Sequence, residues 1–472
     1  MYIHPEPDTV SAGRAPADAP ETATSRDLTS GSIAWSALTL AAPLMVSNLG
    51  AVFFQIFDLS FLSRLGDQPM AAAIIINQTI WQFLLMLMMG ASFGTQSLIA
   101  RATGAGDDRR ASRTVGQALL LAGTVSGVVT CAGAFLSPQL FSLSGARAEF
   151  AGQGTPYLQL LLLLNVGLVG GMICRGVLVG AGDGRTPMIV SLVQFPITLF
   201  VEWVLIFGNF GFPELGIRGV AIGVVTGQIL SFAIYATVLF RGWSRVAVRL
   251  ADLRPNPAIL VEIGRQSWPP ALQMIGMVAT TFAILRIMRG FDPSIQAAYS
   301  IGLRLGMIVP LISFPLVNAC ATLVGQAVGA GKTDRARSVV RTMIVFHVAL
   351  MWPALALLAT YRVELLSLLT SDPAVLAAGA TYMLFFAASF SLVAIYFVLL
   401  RSLQGAGDFL VPMGISLGTI FFVTIPTAYF LSGTSLGPVG IWCGLLLNNV
   451  VSLSATGYWM STGHWLRSPN PT

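Results

Sequence analysis

The sequence predicts an all-α membrane protein with twelve transmembrane helices, arranged as two six-helix lobes related by a pseudo-twofold axis along the membrane normal. Three observations support this prediction: the composition, twelve long apolar stretches and an internal repeat. Hydrophobic residues make up 55 % of the 472-residue chain and charged residues only 10 %, whereas an ordinary soluble domain has about 25 % charged residues. Most of the surface must therefore face lipid, and the formal net charge of +6 does not indicate a nucleic-acid partner.

The apolar stretches fall into two successive sets of six. A bilayer core about 30 Å thick requires roughly 20 apolar residues per helix, and short breaks rich in Gly, Pro and Asp separate stretches of that length here. The predicted helices cover residues 33–63, 70–99, 113–137, 155–180, 187–208, 218–240, 259–288, 295–327, 336–360, 377–403, 410–431 and 439–461.

The remaining segments complete the domain organisation. We predict a flexible cytoplasmic tail at 1–28, an N-lobe at 29–240, a cytoplasmic linker at 241–258, a C-lobe at 259–461 and a cytoplasmic C-terminal tail at 462–472. The first segment is rich in Pro, Ala, Asp and Thr. It lacks the apolar region of a cleaved signal peptide.

The internal repeat is the strongest signal in the chain. Three pairs of segments match at one offset of 225 residues, namely LIARATGAGDDRRA (98–111) with LVGQAVGAGKTDRA (323–336), LVGAGDGRTPM (178–188) with LQGAGDFLVPM (403–413), and RLGDQPMAAA (64–73) with RGFDPSIQAA (289–298). Three segments in one register indicate a duplication. Because each copy has an even number of helices, both copies enter the membrane in the same sense, which predicts parallel lobes with a substrate path between them.

The distribution of basic residues predicts that both termini are cytoplasmic, in the plasma membrane or bacterial inner membrane. With the N-terminus inside, sixteen basic residues fall at the inner loops and six at the outer loops, as the positive-inside rule requires. The inner set is Arg101, Arg109, Arg110, Arg113, Arg175, Arg185, Arg241, Arg245, Arg249, Arg254, Arg265, Lys332, Arg335, Arg337, Arg341 and Arg401. The outer set is Arg64, Arg147, Arg218, Arg286, Arg289 and Arg362.

Two acidic residues within the predicted helices are candidates for binding a coupling ion. Asp58 lies in predicted helix 1 and Glu202 in predicted helix 5. A charge at the bilayer centre costs about 2.5–3.5 kcal/mol, so such residues usually face a cavity and act there. The pair could load and release a proton, or could bind Na⁺ with Thr198 as a further oxygen ligand. For Asp58 the alternative is a carboxylate that reaches the outer surface beside Arg64.

The chain resembles the multidrug and toxic compound extrusion (MATE) family. The duplicated GAG(D/K) loops, the early Pro43 of helix 1 and the six-plus-six layout carry the resemblance over residues 33–461. Similar stretches are AAPLMVSNLGAVFFQIFDLSFLSRLG, RGVLVGAGDGRTPM and VLIFGNFGFPELGIRGVAIG. The resemblance implies a secondary active exporter of organic, cationic or amphipathic compounds, driven by an H⁺ or Na⁺ gradient through alternating access between two lobes.

The resemblance also implies that the cation-coupling acids lie in the N-lobe. Asp58 matches the acidic position of helix 1, and Thr198 and Glu202 stand where the family usually has Asn-x-x-x-Asp. The helix 7 stretch PPALQMIGMVATTF and the helix 10 stretch AASFSLVAIYFVLL contain no acid. This pattern is similar to the branch near the DNA-damage-inducible F-type transporters. By the offset of 225, Asp58 and Glu202 correspond to Ala283 and Thr427.

Further residues are candidates for the moving parts and for the substrate cavity. Pro43 is the predicted kink point of helix 1, and we hypothesise that protonation near Asp58 changes the packing of that helix. Polar side chains inside the spans either line a substrate cavity or bond between helices. The cavity candidates are Gln55, Gln273, Asn165 and Arg304, and for Arg304 a structural ion pair or a snorkelling side chain is the alternative.

Other classes of protein fit the sequence less well. Four isolated cysteines and three scattered histidines predict neither a disulfide nor a metal site. The segment GAGKT has no Walker-type spacing and is explained by the repeat. We therefore expect no cofactor, no enzymatic activity and no channel. The expected partners are a small-molecule substrate and membrane lipids, and the expected oligomeric state is a monomer. A lipid-linked oligosaccharide flippase of the same superfamily is the alternative.

Overall fold

The computed structural model describes residues 28–66, 73, 76, 80–143 and 150–466. The predicted tail up to residue 27, the chain end from 467 and most of the repeat segment 64–73 lie outside the described residues. Within the described part the chain is helical throughout its core and contains no strand. The all-α fold class is confirmed.

Sixteen α-helices are described, and one of them is continued by a π-helical turn. They are α1 (Ile33–Ser63), α2 (Gln82–Gly104), α3 (Asp108–Leu143), α4 (Ala151–Leu163), α5 (Val166–Gly180), α6 (Arg185–Phe207), α7 (Ile217–Phe240), α8 (Pro257–Met288), α9 (Pro293–Gly306), α10 (Ile308–Gly329), α11 (Thr333–Thr360), α12 (Arg362–Ser367), α13 (Pro373–Ala406), α14 (Leu410–Thr419), the π-helix Ile420–Thr424, α15 (Ile425–Ser432) and α16 (Pro438–Ser461).

These helices form the twelve predicted membrane spans. Ten described helices are long and apolar enough to cross a bilayer, with α14, the π-helix and α15 counted as one. Two further spans are bent pairs: α4 and α5 meet at 49°, and the segments Pro293–Leu311 and Ser313–Gly329 meet at 43°. Predicted helices 4 and 8 are therefore each broken.

Local sequence explains where several spans begin and end. Asn256 and Asp372 accept hydrogen bonds from the first backbone N–H groups of α8 and α13, and a proline follows each cap. Proline is favoured there because the first helical N–H has no partner within the helix. At the other end of the spans, Gly208 and Gly407 close α6 and α13 in the left-handed conformation that favours glycine.

The contacts between the lobes obey the predicted pseudo-twofold symmetry. Gly104 of α2 lies directly against the backbone of Gln326 in α10, and Gly329 lies directly against the backbone of Arg101. Each residue in the first contact is related to its counterpart in the second by the offset of 225. Glycine permits this approach because any side chain would collide with the facing backbone. The two copies thus meet through equivalent residues on either side of one axis.

We call the end of the molecule that holds this contact the GAG end, defined by the segments 104–107, 180–183, 329–332 and 405–408. All interlobe hydrogen bonds between described residues lie between this end and the level of Asn48, whose side-chain amide donates to the Leu311 carbonyl (3.3 Å). The lobes are therefore closed at the GAG end.

The predicted linker and Leu28, the last residue of the predicted tail, pack against the lobes. Leu28, the last residue of the predicted flexible tail, is only 5 % exposed, and its carbonyl accepts a hydrogen bond from Arg335 (2.9 Å). In the linker, the carbonyls of Asp252 and Arg254 accept from the Gln117 side chain (2.9 and 2.8 Å). Tertiary hydrogen bonds thus hold Leu28 and the linker against the lobes.

Candidate functional site

The predicted coupling acids lie where α1 packs in parallel against α6. The Phe54 and Phe195 rings stack at a centroid distance of 5.4 Å, and the Phe61 and Phe207 rings meet edge to face at 6.0 Å. Asp58 stands one turn from each of the two α1 aromatics and is half-buried. The two ring pairs therefore bracket the level of Asp58 along the α1–α6 interface.

Thr198 and Glu202 project from the same face of α6, because they are four residues apart. Thr198 is 1 % exposed and Glu202 is 0 % exposed. Both side chains contact α7 at glycines: Glu202 lies against Gly223, and Thr198 lies against Gly227. The glycine spacing of four residues on α7 creates the room that these two polar side chains occupy.

Four buried oxygen atoms in this region have no hydrogen-bond partner among the described residues. They are one carboxylate oxygen of Asp58, the Thr198 hydroxyl and both carboxylate oxygens of Glu202. Asp58 and Glu202 are also close enough for their negative charges to repel each other. Buried charges without compensation cost several kcal/mol, so the arrangement favours binding of a proton or a small cation. We call Asp58, Thr198 and Glu202 the acidic site.

The C-lobe contains a matching interface without the acids. In the N-lobe, the Ser231 hydroxyl donates to the side chain of Gln194 (2.6 Å). The equivalent pair in the C-lobe, Thr419 and Ser452, is hydrogen-bonded at 3.0 Å. Gln194 and Thr419 differ by the offset of 225, and Ser231 and Ser452 differ by 221.

Beyond Thr419, the residue correspondence between the two lobes changes. The π-helix Ile420–Thr424 adds a residue to the C-lobe span. Above it Gly444 contacts Ala428, as Gly223 contacts Glu202 in the N-lobe. Ala428, rather than Thr427, is therefore the structural counterpart of Glu202. The constant offset of 225 gave the wrong residue because a π-turn inserts one position without disturbing the helix on either side.

The C-lobe counterpart of Thr198 has a hydrogen-bond partner. In this register Thr198 corresponds to Thr424, and Gly227 corresponds to Asn448. The Thr424 hydroxyl donates to the Asn448 side-chain oxygen (2.9 Å). In the C-lobe an asparagine therefore fills the space beside the threonine. In the N-lobe a glycine stands at the equivalent position. This difference leaves Thr198 without the partner that Thr424 has.

Pro43 and Gln55 lie on α1 as predicted, but they differ in surroundings. The helix runs through Pro43 as one element from Ile33 to Ser63, so a kink at that residue stays a prediction. Gln55 is exposed and precedes Asp58 by three residues. It lies on the same helix as the acidic site, and no hydrogen bond ties its side chain to another described residue.

Neither Asn165 nor Arg304 is hydrogen-bonded to a residue of the acidic site. Asn165 is 0 % exposed, and its amide donates to the carbonyls of Leu162 (2.6 Å) and Ser126 (3.2 Å) and to the Thr130 hydroxyl (3.1 Å). It thereby satisfies backbone groups at the break between α4 and α5. Arg304 is exposed on α9 and makes no hydrogen bond with any described residue.

The structure also contains a buried polar network that the sequence did not predict. Arg401, counted above among the residues of the inner loops, lies inside α13 and is only 4 % exposed. Its guanidinium donates to the side-chain oxygens of Gln404 (2.7 Å), Asn318 (2.8 Å) and Gln96 (3.0 Å). The guanidinium also lies over the Phe93 ring, 3.8 Å from its centroid. No carboxylate of a described residue pairs with it.

This network spans both lobes and includes one predicted residue. Gln273 is 3 % exposed, and its side-chain oxygen accepts from Gln404 (3.3 Å). Gln96 belongs to α2 of the N-lobe, whereas Arg401 and Gln273 belong to the C-lobe. Of the four predicted cavity candidates, Gln273 is therefore the one tied to the interlobe network. The amides of the network were visible in the sequence, but nothing there indicated that they would meet.

A cavity of about 230 Å³ adjoins the network between the lobes. It is lined by Leu44, Asn48, Met89, Ser92, Phe93, Gln96, Met172, Arg175, Gly176, Val179, Phe314, Pro315 and Asn318. Arg175, also counted above among the inner loops, lies inside α5 instead. We call this space the interlobe cavity. Within the described part of the chain, no group of three His, Cys, Asp or Glu residues could hold a metal ion.

The two lobes, their membrane spans and the cavity between them define a two-lobed membrane transporter. The MatE family model matches residues 43–204 and again residues 269–430, so the chain belongs to the MatE family. The two matches start at Pro43 and Pro269, and each lies within one lobe, which agrees with the duplication.

Known proteins resemble the chain over most of its length. It is 26 % identical to "Probable multidrug resistance protein NorM" of Thermotoga maritima, over 91 % of this chain and 92 % of that protein. It is 26 % identical to "Multidrug resistance protein PmpM" of Pseudomonas aeruginosa, over 87 % of each. A solved structure described as the outward-facing conformation of a multidrug resistance MATE family transporter has a TM-score of 0.84 at 20 % identity, over 92 % of this chain and 97 % of that chain.

Proposed function

We propose that the protein is a secondary active efflux transporter that exchanges an organic compound for H⁺ or Na⁺. The observation that supports the coupling is the acidic site, where four buried oxygen atoms lack hydrogen-bond partners among the described residues. Carboxylate and hydroxyl oxygens can bind either a proton or a hard cation such as Na⁺. Relatives named as multidrug resistance proteins support the export of organic compounds.

We further propose that the GAG end faces the cytoplasm, in a bacterial inner membrane. The excess of basic residues at that end supports this orientation, which also makes both termini cytoplasmic. The structure, with the lobes closed at the GAG end, then represents an outward-facing state. Alternating access requires the reverse state, in which the contact between Gly104 and Gln326 opens. The rocking of one lobe against the other supplies that change.

The acidic site belongs to the N-lobe alone in this proposal. Proton or Na⁺ binding removes the repulsion between Asp58 and Glu202 and thereby changes how tightly α1 packs on α6. Pro43 is the point at which α1 can bend, because proline removes one helical hydrogen bond. A cationic or amphipathic substrate would compete with the coupling ion for the negative charge of Asp58 and Glu202. We expect the transporter to act as a monomer.

Reconstitution in liposomes tests the proposal. A pH gradient and a Na⁺ gradient are imposed separately while the movement of ethidium, a fluorescent organic cation, is followed. We expect one gradient to drive movement in the wild-type protein. Asp58→Asn and Glu202→Gln keep the side-chain shapes and should abolish the gradient-driven part, while thermal unfolding shows that both variants are folded. Undiminished gradient-driven movement in both variants would contradict the assignment of the acidic site.

A further inference from the structure

The interlobe cavity differs from the acidic site in the sign of its charge. Among the described residues that line it none is acidic, and Arg175 is its one basic residue. Arg175 makes no hydrogen bond or ion pair with a described residue, although it lies within a membrane span. An arginine inside a span normally pairs with a carboxylate or faces a cavity where it acts.

Arg401 determines the orientation of two side-chain amides in the cavity wall, those of Gln96 and Asn318. A guanidinium can only donate hydrogen bonds, so the atoms of Gln96 and Asn318 that face it must be their oxygens. The amino groups of both amides therefore point elsewhere. That of Gln96 donates to the Thr322 hydroxyl (3.0 Å) and the Asn318 carbonyl (3.2 Å), whereas that of Asn318 has no partner among the described residues.

Two groups on the wall of the cavity are thus left free to donate. They are the Arg175 guanidinium from the N-lobe and the Asn318 amino group from the C-lobe. The buried charge of Arg401 lies behind Asn318, and charges interact strongly where water is excluded. An arginine and an amide donor match the oxygens of a carboxylate or phosphate. A cation, in contrast, would meet two positive charges at this position.

We propose that the interlobe cavity binds the anionic group, carboxylate or phosphate, of an amphipathic substrate. This inference rests on the proposed transport function and specifies its substrate class. With about 230 Å³, the cavity is smaller than the 300–1,000 Å³ of sites for drug-sized ligands. It therefore holds an aromatic carboxylate or one end of a larger molecule. Because its walls come from both lobes, the site is complete only while the lobes are closed at the GAG end.

Matched dyes test the substrate class. Rhodamine 110 carries a free carboxylate, and rhodamine 123 is its methyl ester, so the two differ only in that group. Binding to purified protein is followed by fluorescence anisotropy in detergent without anionic lipid. We expect Arg175→Gln to weaken binding of rhodamine 110 by about tenfold or more, since a charge-assisted hydrogen bond is lost. Binding of rhodamine 123 should change less than about twofold. Arg175→Lys should retain part of the preference.

Two controls keep the result interpretable. Arg185→Gln removes an exposed arginine ten residues away and should leave both dyes unaffected. In the wild-type protein, benzoate and phenyl phosphate should displace rhodamine 110, whereas the neutral benzamide should not. The stronger of the two anions identifies the preferred group. Equal displacement by benzamide, or equal loss of both dyes in Arg175→Gln, would overturn the inference.

The same dyes separate this inference from the proposed function. In liposomes, transport of both dyes without a preference for the free carboxylate contradicts the anion site alone. Binding that prefers the carboxylate, with no movement of either dye under a pH or Na⁺ gradient, contradicts the transport proposal alone.

Discussion

Gly223 of α7 lies in direct contact with the side chain of Glu202 on α6. The contact fixes the position of a carboxylate that no described residue pairs with, so the glycine determines where the negative charge lies. The equivalent contact in the C-lobe joins Gly444 to Ala428. The glycine is thus present in both lobes, whereas the acid is present in one.

Gly223→Ala should impair coupling without unfolding the protein. The added methyl group collides with the Glu202 side chain and displaces it, and a small misplacement of a reacting group can reduce a rate strongly. We expect gradient-driven transport in liposomes to fall by about tenfold or more. Gly123→Ala, where the added methyl meets no atom within 4 Å, is the matched control. Equal transport by the two variants would show that the position of Glu202 is not critical.

Gly227→Asn should convert the N-lobe site into a copy of the C-lobe site. The new amide can accept from the Thr198 hydroxyl, as Asn448 accepts from Thr424. We expect coupling to be lost because the amide occupies the space beside Thr198 and fixes its hydroxyl. The dependence of transport on pH and on Na⁺ should flatten together, as measured in liposomes over a range of each ion.

The reciprocal change provides the control for that variant. Asn448→Gly opens the equivalent space in the C-lobe, where no acid is present. It should leave the ion dependence of transport unchanged. A loss of ion dependence in Asn448→Gly as strong as in Gly227→Asn would place coupling in both lobes.

Gly329→Leu should prevent the lobes from closing at the GAG end. A leucine side chain would collide with the Arg101 backbone, which Gly329 contacts directly. Spin labels at the exposed positions Asp108 and Asp334, in a cysteine-free background, report the separation of the lobes. We expect a longer distance and slower transport than in Gly264→Leu, where the space is open. An unchanged distance distribution would contradict the closing role of this contact.

Asn165→Leu should reduce stability rather than change transport specificity. The substitution removes the donor that satisfies the helix break, and a buried acceptor left without a partner costs about 1–3 kcal/mol. The free energy of unfolding should fall by about that amount, while transport per folded molecule is kept. Gln139→Leu, at an exposed position of α3, is the control. Lost transport with full stability would make Asn165 a substrate contact after all.

Much of the fold could be predicted because it depends on local features. Apolar length gave twelve spans, and the offset of 225 gave two copies. Both acids of the candidate site were also identifiable, since a carboxylate inside an apolar stretch is conspicuous. The sequence did not reveal the change of register that makes Ala428, rather than Thr427, the counterpart of Glu202. A constant offset cannot detect a single π-turn, because one inserted residue leaves the surrounding pattern apolar and helical.

The two arginines illustrate a second limit. Arg175 and Arg401 stand five residues or fewer from the ends of α5 and α13, so counting basic residues near loops placed them at the membrane surface. In the structure they face the interface between the lobes, where the two helices are covered by the partner lobe instead of by lipid. Hydropathy does not indicate whether lipid or the other lobe covers the end of a helix.

The sequence by itself determined that the chain spans a membrane, that it contains two copies of one six-helix unit, and that acids occur inside the spans of the first copy. These properties follow from composition and from matches along the chain. Only the tertiary structure decided that Thr198 lacks the partner that Thr424 has, that Asn165 supports a helix break, and that Arg401 joins the lobes. Each of these depends on contacts between segments on different helices, and the physical reason is packing: a polar side chain in a membrane acts through whichever groups the fold brings beside it.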